Sequence, residues 1–222
     1  MPVVLGYWGL RGYGEPSRLL LRYTEADWED AVIPLTQEGM DHWFKEKKYN
    51  LGLDFPNLPY VIDGDIKLTQ SVAVLRYLGR KFGLAPSEAD MGRADVFEQV
   101  ISDLRVGFNK MCYSSPDKYE GLKTEFLEKL PKKLEEIANF IGDGPYAVGE
   151  KLTYVDFLAL EYLDVIATFT PDHFKSGSIP DYIQRMKDLP ALKKFYESED
   201  CTHKSYYING PMATWNGNPK KE

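Results

Sequence analysis

The segment 7–16, where a short apolar strand gives way to a helix, holds the first residues able to do chemistry. It reads Tyr-Trp-Gly-Leu-Arg-Gly-Tyr-Gly-Glu-Pro and has no cysteine, which excludes a Cys-x-x-Cys dithiol at this position. Tyr7 offers a phenolic hydrogen-bond donor instead. If the protein performs thiol chemistry, the substrate must therefore supply the thiol.

The same segment contains the pair Gly12 and Gly14, which a search for phosphate loops would select. A third glycine is missing, and Glu15 would face the phosphate. We therefore interpret this pair as a poor candidate for a phosphate site.

A second candidate is the loop 53–60, in which Pro56 and Pro59 bracket Asn57 and Leu58 just before a strand. A proline at the start of a strand can follow a cis peptide bond, which would turn the Leu58 backbone towards a ligand. A plain rigid turn explains the same residues equally well.

The third candidate follows directly, because Gln70 and Ser71 open a helix whose free N–H groups favour a carboxylate. Ser71 could cap this helix, bind an anion or do both, and capping alone is the commoner outcome for a single serine. Three such loops on one small unit make a ligand site more credible than any one of them.

The elements that position these loops alternate between strand and helix over the first 82 residues. Apolar runs, turn residues and helical spacing predict the order β-α-β-α-β-β-α, with strands at 3–7, 28–33, 60–62 and 66–68 and helices from Pro16, at 40–49 and at 71–82. A glycine between Asp63 and Asp65 suits the hairpin turn. This is the outline of a thioredoxin-like domain.

The remainder is predicted to be helical. We expect a thioredoxin-like domain over 1–82, a linker over 83–90 and an all-α domain over 91–222, with helices at 91–113, 116–141, 153–167, 179–187 and 190–198. Thr153 and Asp156 form a capping box, so Asp156 is interpreted as structural and not catalytic.

Composition narrows the class of partner. With 27 Lys and Arg against 34 Asp and Glu, the net charge of -7 disfavours nucleic acid and anionic lipid. The longest near-continuous apolar stretch, 157–166, is interrupted by Glu161 and Asp164 and is too short for a membrane helix. The N-terminal residues lack the pattern of a secretory signal, so we expect a cytoplasmic protein.

Cysteine and histidine are scarce. Cys112 lies in an apolar helical segment and Cys201 follows two acidic residues, so neither is expected to be a nucleophile. His42, His173 and His203 lack ligand spacing, and we expect no metal and no cofactor.

The motifs taken together resemble a mu-class glutathione S-transferase, closer to the parasite and invertebrate members than to the vertebrate ones. The likeness extends from the first strand to about Tyr196, nearly the whole chain. The segments that carry it are 6–8, 11–12, 18–21, 51–60, 62–64, 68–71 and 153–157.

This resemblance implies an enzyme that uses glutathione as a co-substrate. It implies that Tyr7 donates a hydrogen bond to the glutathione sulfur and favours the thiolate, and that Tyr113 assists attack on some second substrates. It further implies that Phe55 inserts into a partner subunit and that Asp103 reaches across a homodimer interface. The implied glutathione site comprises Tyr7, Trp8, Tyr13, Trp43, Lys47, Asn57, Leu58, Pro59, Gln70, Ser71 and Asp103.

Two departures from the family pattern limit this transfer. Met40 stands where vertebrate members have an arginine, and one extra residue after Trp43 leaves Lys47 or Lys48 as the lysine that meets the glycyl carboxylate; we favour Lys47. The tail 209–215 also differs from the vertebrate pattern, so the preferred electrophile cannot be transferred.

Three functions are compatible with this sequence. The main hypothesis is conjugation of glutathione to hydrophobic electrophiles in detoxification. A glutathione-dependent prostaglandin isomerase on the same fold is the second, and a largely non-catalytic carrier of hydrophobic ligands is the third. An intact set of Tyr7, Gln70 and Ser71 argues against the carrier, because only a protein that uses glutathione needs it.

Overall fold

A four-stranded mixed sheet organises the first part of the chain. The computed structural model describes residues 1–198, 207–208 and 212–217. The strands are β1 (Val3–Trp8), β2 (Trp28–Ile33), β3 (Tyr60–Asp63) and β4 (Ile66–Thr69), in the order β2-β1-β3-β4. β1 pairs parallel with β2, whereas β1–β3 and β3–β4 are antiparallel. The tight turn between β3 and β4 uses Gly64 at φ 59°, as the predicted hairpin requires.

Three α-helices belong to this part of the chain: α1 (Glu15–Tyr23), α2 (Gln37–Asp41) and α3 (Ser71–Lys81). A π-helical segment, His42–Lys47, continues directly from α2. The sequence predicted one helix over 40–49, which is wrong at its start. The helix begins earlier because the Thr36 hydroxyl accepts a hydrogen bond from Gly39 N–H at 3.1 Å and caps it.

The second part of the chain is helical. It comprises α4 (Met91–Cys112), α5 (Pro116–Ile141), α6 (Tyr154–Phe169), α7 (Ser178–Lys187) and α8 (Pro190–Glu197), with a short 3₁₀ turn at Pro171–Phe174. The fold class predicted from sequence, a thioredoxin-like α/β domain followed by an all-α domain, is confirmed.

Helix α6 is the centre of the helical part. Its residues Tyr154 to Ile166 are all buried, and they include three acids, Asp156, Glu161 and Asp164, among mostly apolar side chains. It packs against α1 and α3 of the sheet domain as well as against α4 and α7. The Tyr154 N–H donates to the Leu84 carbonyl, which ties the start of α6 to the predicted linker.

The capping box at the start of α6 is confirmed. Asp156 is buried and accepts hydrogen bonds from Thr153 N–H at 2.8 Å, Ala147 N–H at 2.7 Å and the Tyr182 hydroxyl at 2.8 Å. Every oxygen of this carboxylate is therefore engaged in holding the fold together, which confirms the structural interpretation of Asp156.

Candidate active site

Tyr7 lies near the end of β1, with only 6% of its surface exposed. Its hydroxyl oxygen accepts a hydrogen bond from Tyr13 N–H at 3.0 Å. Burial is the main cause that raises the pKa of Tyr7 to about 12. The phenol therefore keeps its proton at neutral pH, and that proton can be donated to a ligand.

Gly12 and Gly14 provide the space for the Tyr7 ring. A Cβ on Gly14 would lie 2.5 Å from Tyr7 Cδ1, and a Cβ on Gly12 would lie 2.6 Å from the Tyr7 oxygen. Gly12 also has φ +45°, which side chains rarely adopt. The two glycines that first suggested a phosphate loop thus have a packing role beside Tyr7.

The loop before β3 contains a cis peptide bond between Leu58 and Pro59, which was one of the two alternatives that the sequence left open. The Thr69 hydroxyl donates to the Phe55 carbonyl at 2.9 Å and so fixes the loop against β4. Leu58 N–H donates to Asn57 Oδ1 at 2.9 Å. A ligand that pairs with this backbone would therefore use the Leu58 carbonyl or displace the Asn57 side chain.

Gln70 and Ser71 stand at the start of α3. Ser71 is the first helical residue and Gln70 occupies the capping position without a capping hydrogen bond from its side chain, so of the alternatives that the sequence left open for Ser71, capping is excluded. Gln70 adopts φ 70°, an unusual conformation for a residue with a side chain. Residues held in this way cluster at ligand sites, and the first N–H groups of α3 suit a carboxylate.

Trp43 and two lysines lie on the π-helical segment. Trp43 is buried and stacks on Tyr60 with the ring centres 6.1 Å apart. Lys47 Nζ lies 5.8 Å from the Tyr60 ring centre, whereas Lys48 Nζ lies over the exposed rings of Phe44 and Tyr49. This arrangement places Lys47, and not Lys48, beside the Trp43–Tyr60 stack.

Helix α4 brings the helical domain to the same place. Asn109 Nδ2 donates to the Tyr13 hydroxyl at 2.7 Å, and the half-exposed Tyr113 at the end of α4 contributes to the electrostatic environment of Tyr7. Trp8, partly buried, packs near Phe44 with ring centres 6.1 Å apart. Asp103 lies exposed on α4, and Phe55 is 76% exposed on the loop before β3.

Arg11 lies next to the candidate site, and the sequence analysis assigned it no role. It is buried and donates to Glu161 at 3.0 Å and to Asp164 at 2.9 Å, both on α6. The pKa of Glu161 is raised to about 7, mainly by burial and against the opposing effect of Arg11. In the sequence, Glu161 and Asp164 interrupt an apolar run. Acids in such a run indicate that a cationic side chain is buried beside them, and this was the available signal for the Arg11 pairs.

The position of Arg11 matters because the next residue, Gly12, lies against Tyr7. Gly12 N–H donates to the Tyr207 carbonyl at 2.9 Å, and the Arg11 guanidinium lies 4.3 Å from the Tyr207 ring centre. The loop that surrounds Tyr7 is thus tied to α6 and to the C-terminal region at adjacent positions.

The remaining chemistry-bearing residues lie elsewhere. Cys112 is buried, and burial raises its pKa to about 12, so it stays a thiol. Cys201 and His203 lie outside the described residues. His42 pairs with Glu46 and His173 with Thr170.

Within 1–198, 207–208 and 212–217, no group of three or more His, Cys, Asp or Glu is arranged to hold a metal ion. The helices of these ranges are too short or too polar to cross a bilayer.

Removal of Arg11 should destabilise the protein strongly, because Glu161 would lose its partner inside the fold. We expect Arg11→Met to lower the free energy of unfolding by about 3–5 kcal/mol at about pH 8, measured by urea denaturation. The matched control is Lys129→Met, which breaks the exposed pair with Glu125 and should change stability by less than about 1 kcal/mol. Equal losses in the two variants would contradict the role of the buried pair, and adding Glu161→Gln to Arg11→Met should recover part of the loss.

Comparison with known proteins agrees with this architecture. A sequence model described as "Glutathione S-transferase, N-terminal domain" matches residues 3–80, and one described as "Glutathione S-transferase, C-terminal domain" matches residues 102–199. The solved structure of glutathione S-transferase Blo t 8 superposes with a TM-score of 0.83 at 35% identity and covers 95% of this chain and 98% of that one.

Two curated relatives match over nearly their whole length. Glutathione S-transferase 2 of Gallus gallus is 44% identical, with 100% of both chains covered. Glutathione S-transferase class-mu 26 kDa isozyme 51 of Fasciola hepatica is 38% identical, with 97% of this chain and 94% of the relative covered. The chain therefore belongs to the glutathione S-transferase family, and within it to the mu class.

Proposed function

We propose that this enzyme conjugates the thiolate of glutathione to hydrophobic electrophiles and that Tyr7 stabilises that thiolate. The observation that carries the proposal is the Tyr7 hydroxyl, which lies buried near the end of β1 with its oxygen held by the Tyr13 N–H at 3.0 Å and which is a neutral phenol at physiological pH. A neutral phenol can donate a hydrogen bond to sulfur at any physiological pH. Glutathione supplies the thiol that segment 7–16 lacks.

The size of the effect is sufficient. A hydrogen bond to a charged group contributes about 1.5–3 kcal/mol, which lowers a thiol pKa of about 8.5 by roughly one to two units. The thiol proton passes to water. The thiolate then attacks an electrophilic carbon, a C–S bond forms, and a leaving halide, an opened epoxide oxygen or an enone oxygen takes up the electron pair.

Glutathione is proposed to lie along the loops already described. The γ-glutamyl carboxylate would meet Gln70, Ser71 and the first N–H groups of α3, where the helix dipole favours an anion. The cysteinyl backbone would pair with Leu58 beside Pro59. Trp8, Tyr13, Trp43, Lys47 and Asn57 would complete the site.

The electrophile is proposed to enter from the helical side. Residues 1–82 would bind glutathione, residues 83–90 would link the domains, and residues 91–222 would supply the electrophile pocket, with Tyr113 as its hydroxyl beside Tyr7. The relatives are named as transferases, which supports conjugation over prostaglandin isomerisation or a carrier function. A cytoplasmic location fits a reaction that needs reduced glutathione.

We further propose that two copies form a homodimer. Phe55 is largely exposed, and Val96 and Val106 are exposed apolar residues on α4, the helix that also bears Asp103. A groove of about 340 Å³ between α4 and α5 includes Asp103 and Leu104 in its wall. An exposed aromatic side chain and apolar residues along one helix are typical of an interaction surface. In such a dimer Asp103 would reach the γ-glutamyl amine held by the partner.

Replacement of Tyr7 by phenylalanine tests the proposed mechanism. We expect Tyr7→Phe to bind to glutathione-agarose like the unaltered protein but to lower turnover with a chloronitrobenzene by about one to two orders of magnitude, because only the hydrogen bond to sulfur is lost. Unchanged turnover would remove Tyr7 from the mechanism. Failure of the unaltered protein to bind glutathione-agarose would refute the proposed function itself.

The glycines beside Tyr7 allow a second test of its position. Gly14→Ala should lower turnover by about tenfold to a hundredfold, because the new methyl group must displace the Tyr7 ring. Gly92→Ala is the matched control: it lies on α4 with nothing within 4 Å of the added Cβ, and it should leave turnover unchanged. Similar turnover in the two variants would show that ring placement is not critical.

The proposed dimer can be tested through Phe55. Phe55→Ala should raise the dimer dissociation constant at least about tenfold in sedimentation equilibrium, because burial of a phenylalanine is worth about 1.5–3 kcal/mol. Tyr49→Ala, which also removes an exposed aromatic ring, should leave the constant unchanged. A monomeric unaltered protein, or equal effects of the two variants, would count against this interface.

A further inference from the structure

Three arginines are buried in the described part of the chain: Arg11, Arg18 and Arg105. Arg11 is paired with two acids on α6, and Arg18 donates to Asp30 at 2.9 Å and also contacts Glu15. Arg105, on α4, is fully buried, and none of its three side-chain nitrogens has a hydrogen-bond partner. A guanidinium keeps its charge in a protein, so Arg105 places inside the fold a positive charge that lies against aromatic rings and has no hydrogen-bonded carboxylate among the described residues.

The surroundings of Arg105 connect it to the active site. Its guanidinium carbon lies 5.0 Å from the ring centre of Tyr162 and 5.9 Å from that of Tyr13. Asn109, one turn further along α4, donates to the Tyr13 hydroxyl. Tyr13 in turn donates its N–H to the Tyr7 oxygen. Arg105 therefore lies beside the ring of Tyr13, the residue whose N–H donates to the Tyr7 oxygen.

The other charged and titratable groups near Arg105 do not cancel its charge. Burial raises the pKa values of Tyr7, Tyr162 and Cys112, and in each case Arg105 opposes that rise, so these groups remain neutral. Arg105 also acts to lower the pKa of Glu161 on α6, but the Glu161 carboxylate is already bound by Arg11. Arg18 on α1, the other cation that acts on Tyr7, is already paired with Asp30 and Glu15.

We propose that Arg105 assists this reaction without contacting the reacting atoms. Its buried charge stabilises the glutathione thiolate beside Tyr7. The inference rests on the proposed function. A charge acts through space, and its effect on a nearby ionisation equilibrium is larger in a protein interior than in water. The buried cation thus adds to the Tyr7 hydrogen bond.

The experiment measures the thiol pKa of bound glutathione by its ultraviolet thiolate absorbance across a pH titration. In Arg105→Met we expect that pKa to rise by about one unit, whereas Arg105→Lys, which keeps the charge, should stay within about 0.3 units of the unaltered protein. Turnover of Arg105→Met should fall about tenfold at about pH 6.5 and recover as the pH passes the raised thiol pKa. Affinity for S-methylglutathione, which has no thiol to ionise, should not change.

Arg93→Met is the matched control, because Arg93 is an exposed arginine on the same helix and about 18 Å away by helical rise. It should leave the thiol pKa unchanged. If Arg105→Met fails to fold by circular dichroism, Arg105→Gln removes the charge while keeping a polar side chain.

The outcomes separate the two proposals. A bound thiol pKa near that of free glutathione in the unaltered protein would refute thiolate stabilisation and, with it, the proposed function. A lowered pKa that is the same in the unaltered protein and in the neutral Arg105 variant would overturn the inference alone. A fall in turnover of that variant that is equal at every pH would also overturn it, since a merely structural role gives that result.

Discussion

In the proposed mechanism the local structure depends on one constraint: the Tyr7 hydroxyl must keep its proton while its oxygen is held in a fixed place. The first is a property of any phenol at neutral pH, and burial reinforces it by raising the pKa of Tyr7 to about 12. The Tyr13 N–H achieves the second through a bond of 3.0 Å to the oxygen. The two requirements explain why glycines occupy positions 12 and 14, since a larger residue at either would meet the Tyr7 ring or its oxygen.

The same constraint joins the two domains. Tyr7 is on the sheet, but the loop that closes over it is held by the helical part: Arg11 by Glu161 and Asp164 on α6, and Tyr13 by Asn109 on α4. A buried ion pair is weak evidence for stability, because desolvation offsets much of the attraction. Its value here lies in orientation, because it fixes the backbone next to Gly12. The proposed active site therefore depends on contacts from both parts of the chain.

Local signals account for what the sequence could predict. The bounds of β2 and α5, the hairpin glycine and the Thr153–Asp156 capping box depend on neighbouring residues, and the structure confirms them. The sequence analysis missed the early start of α2 because its signal was a single residue, Thr36, which caps the helix by accepting a hydrogen bond from Gly39 N–H. The Arg11 pairs join residues 150 and 153 positions apart, which no local pattern encodes. The resemblance to a known family brought together the candidate residues of the glutathione site, which no local pattern joins.

The distribution of charge resolves an apparent conflict between the protein and its proposed ligand. The chain carries a net charge of -7, yet glutathione is itself an anion. Salt screens surface charges that lie further from the ligand than a Debye length of roughly 8–10 Å. In the proposed site the charge that acts on glutathione is therefore local, from Lys47 beside the Trp43–Tyr60 stack to the N-terminus of α3. A carboxylate paired with Arg105 would cancel part of its positive field at the glutathione sulfur. Because the Arg105 nitrogens have no hydrogen-bond partner in the part of the chain that the structure describes and the guanidinium lies beside the Tyr13 ring, the arrangement is consistent with the proposed thiolate site.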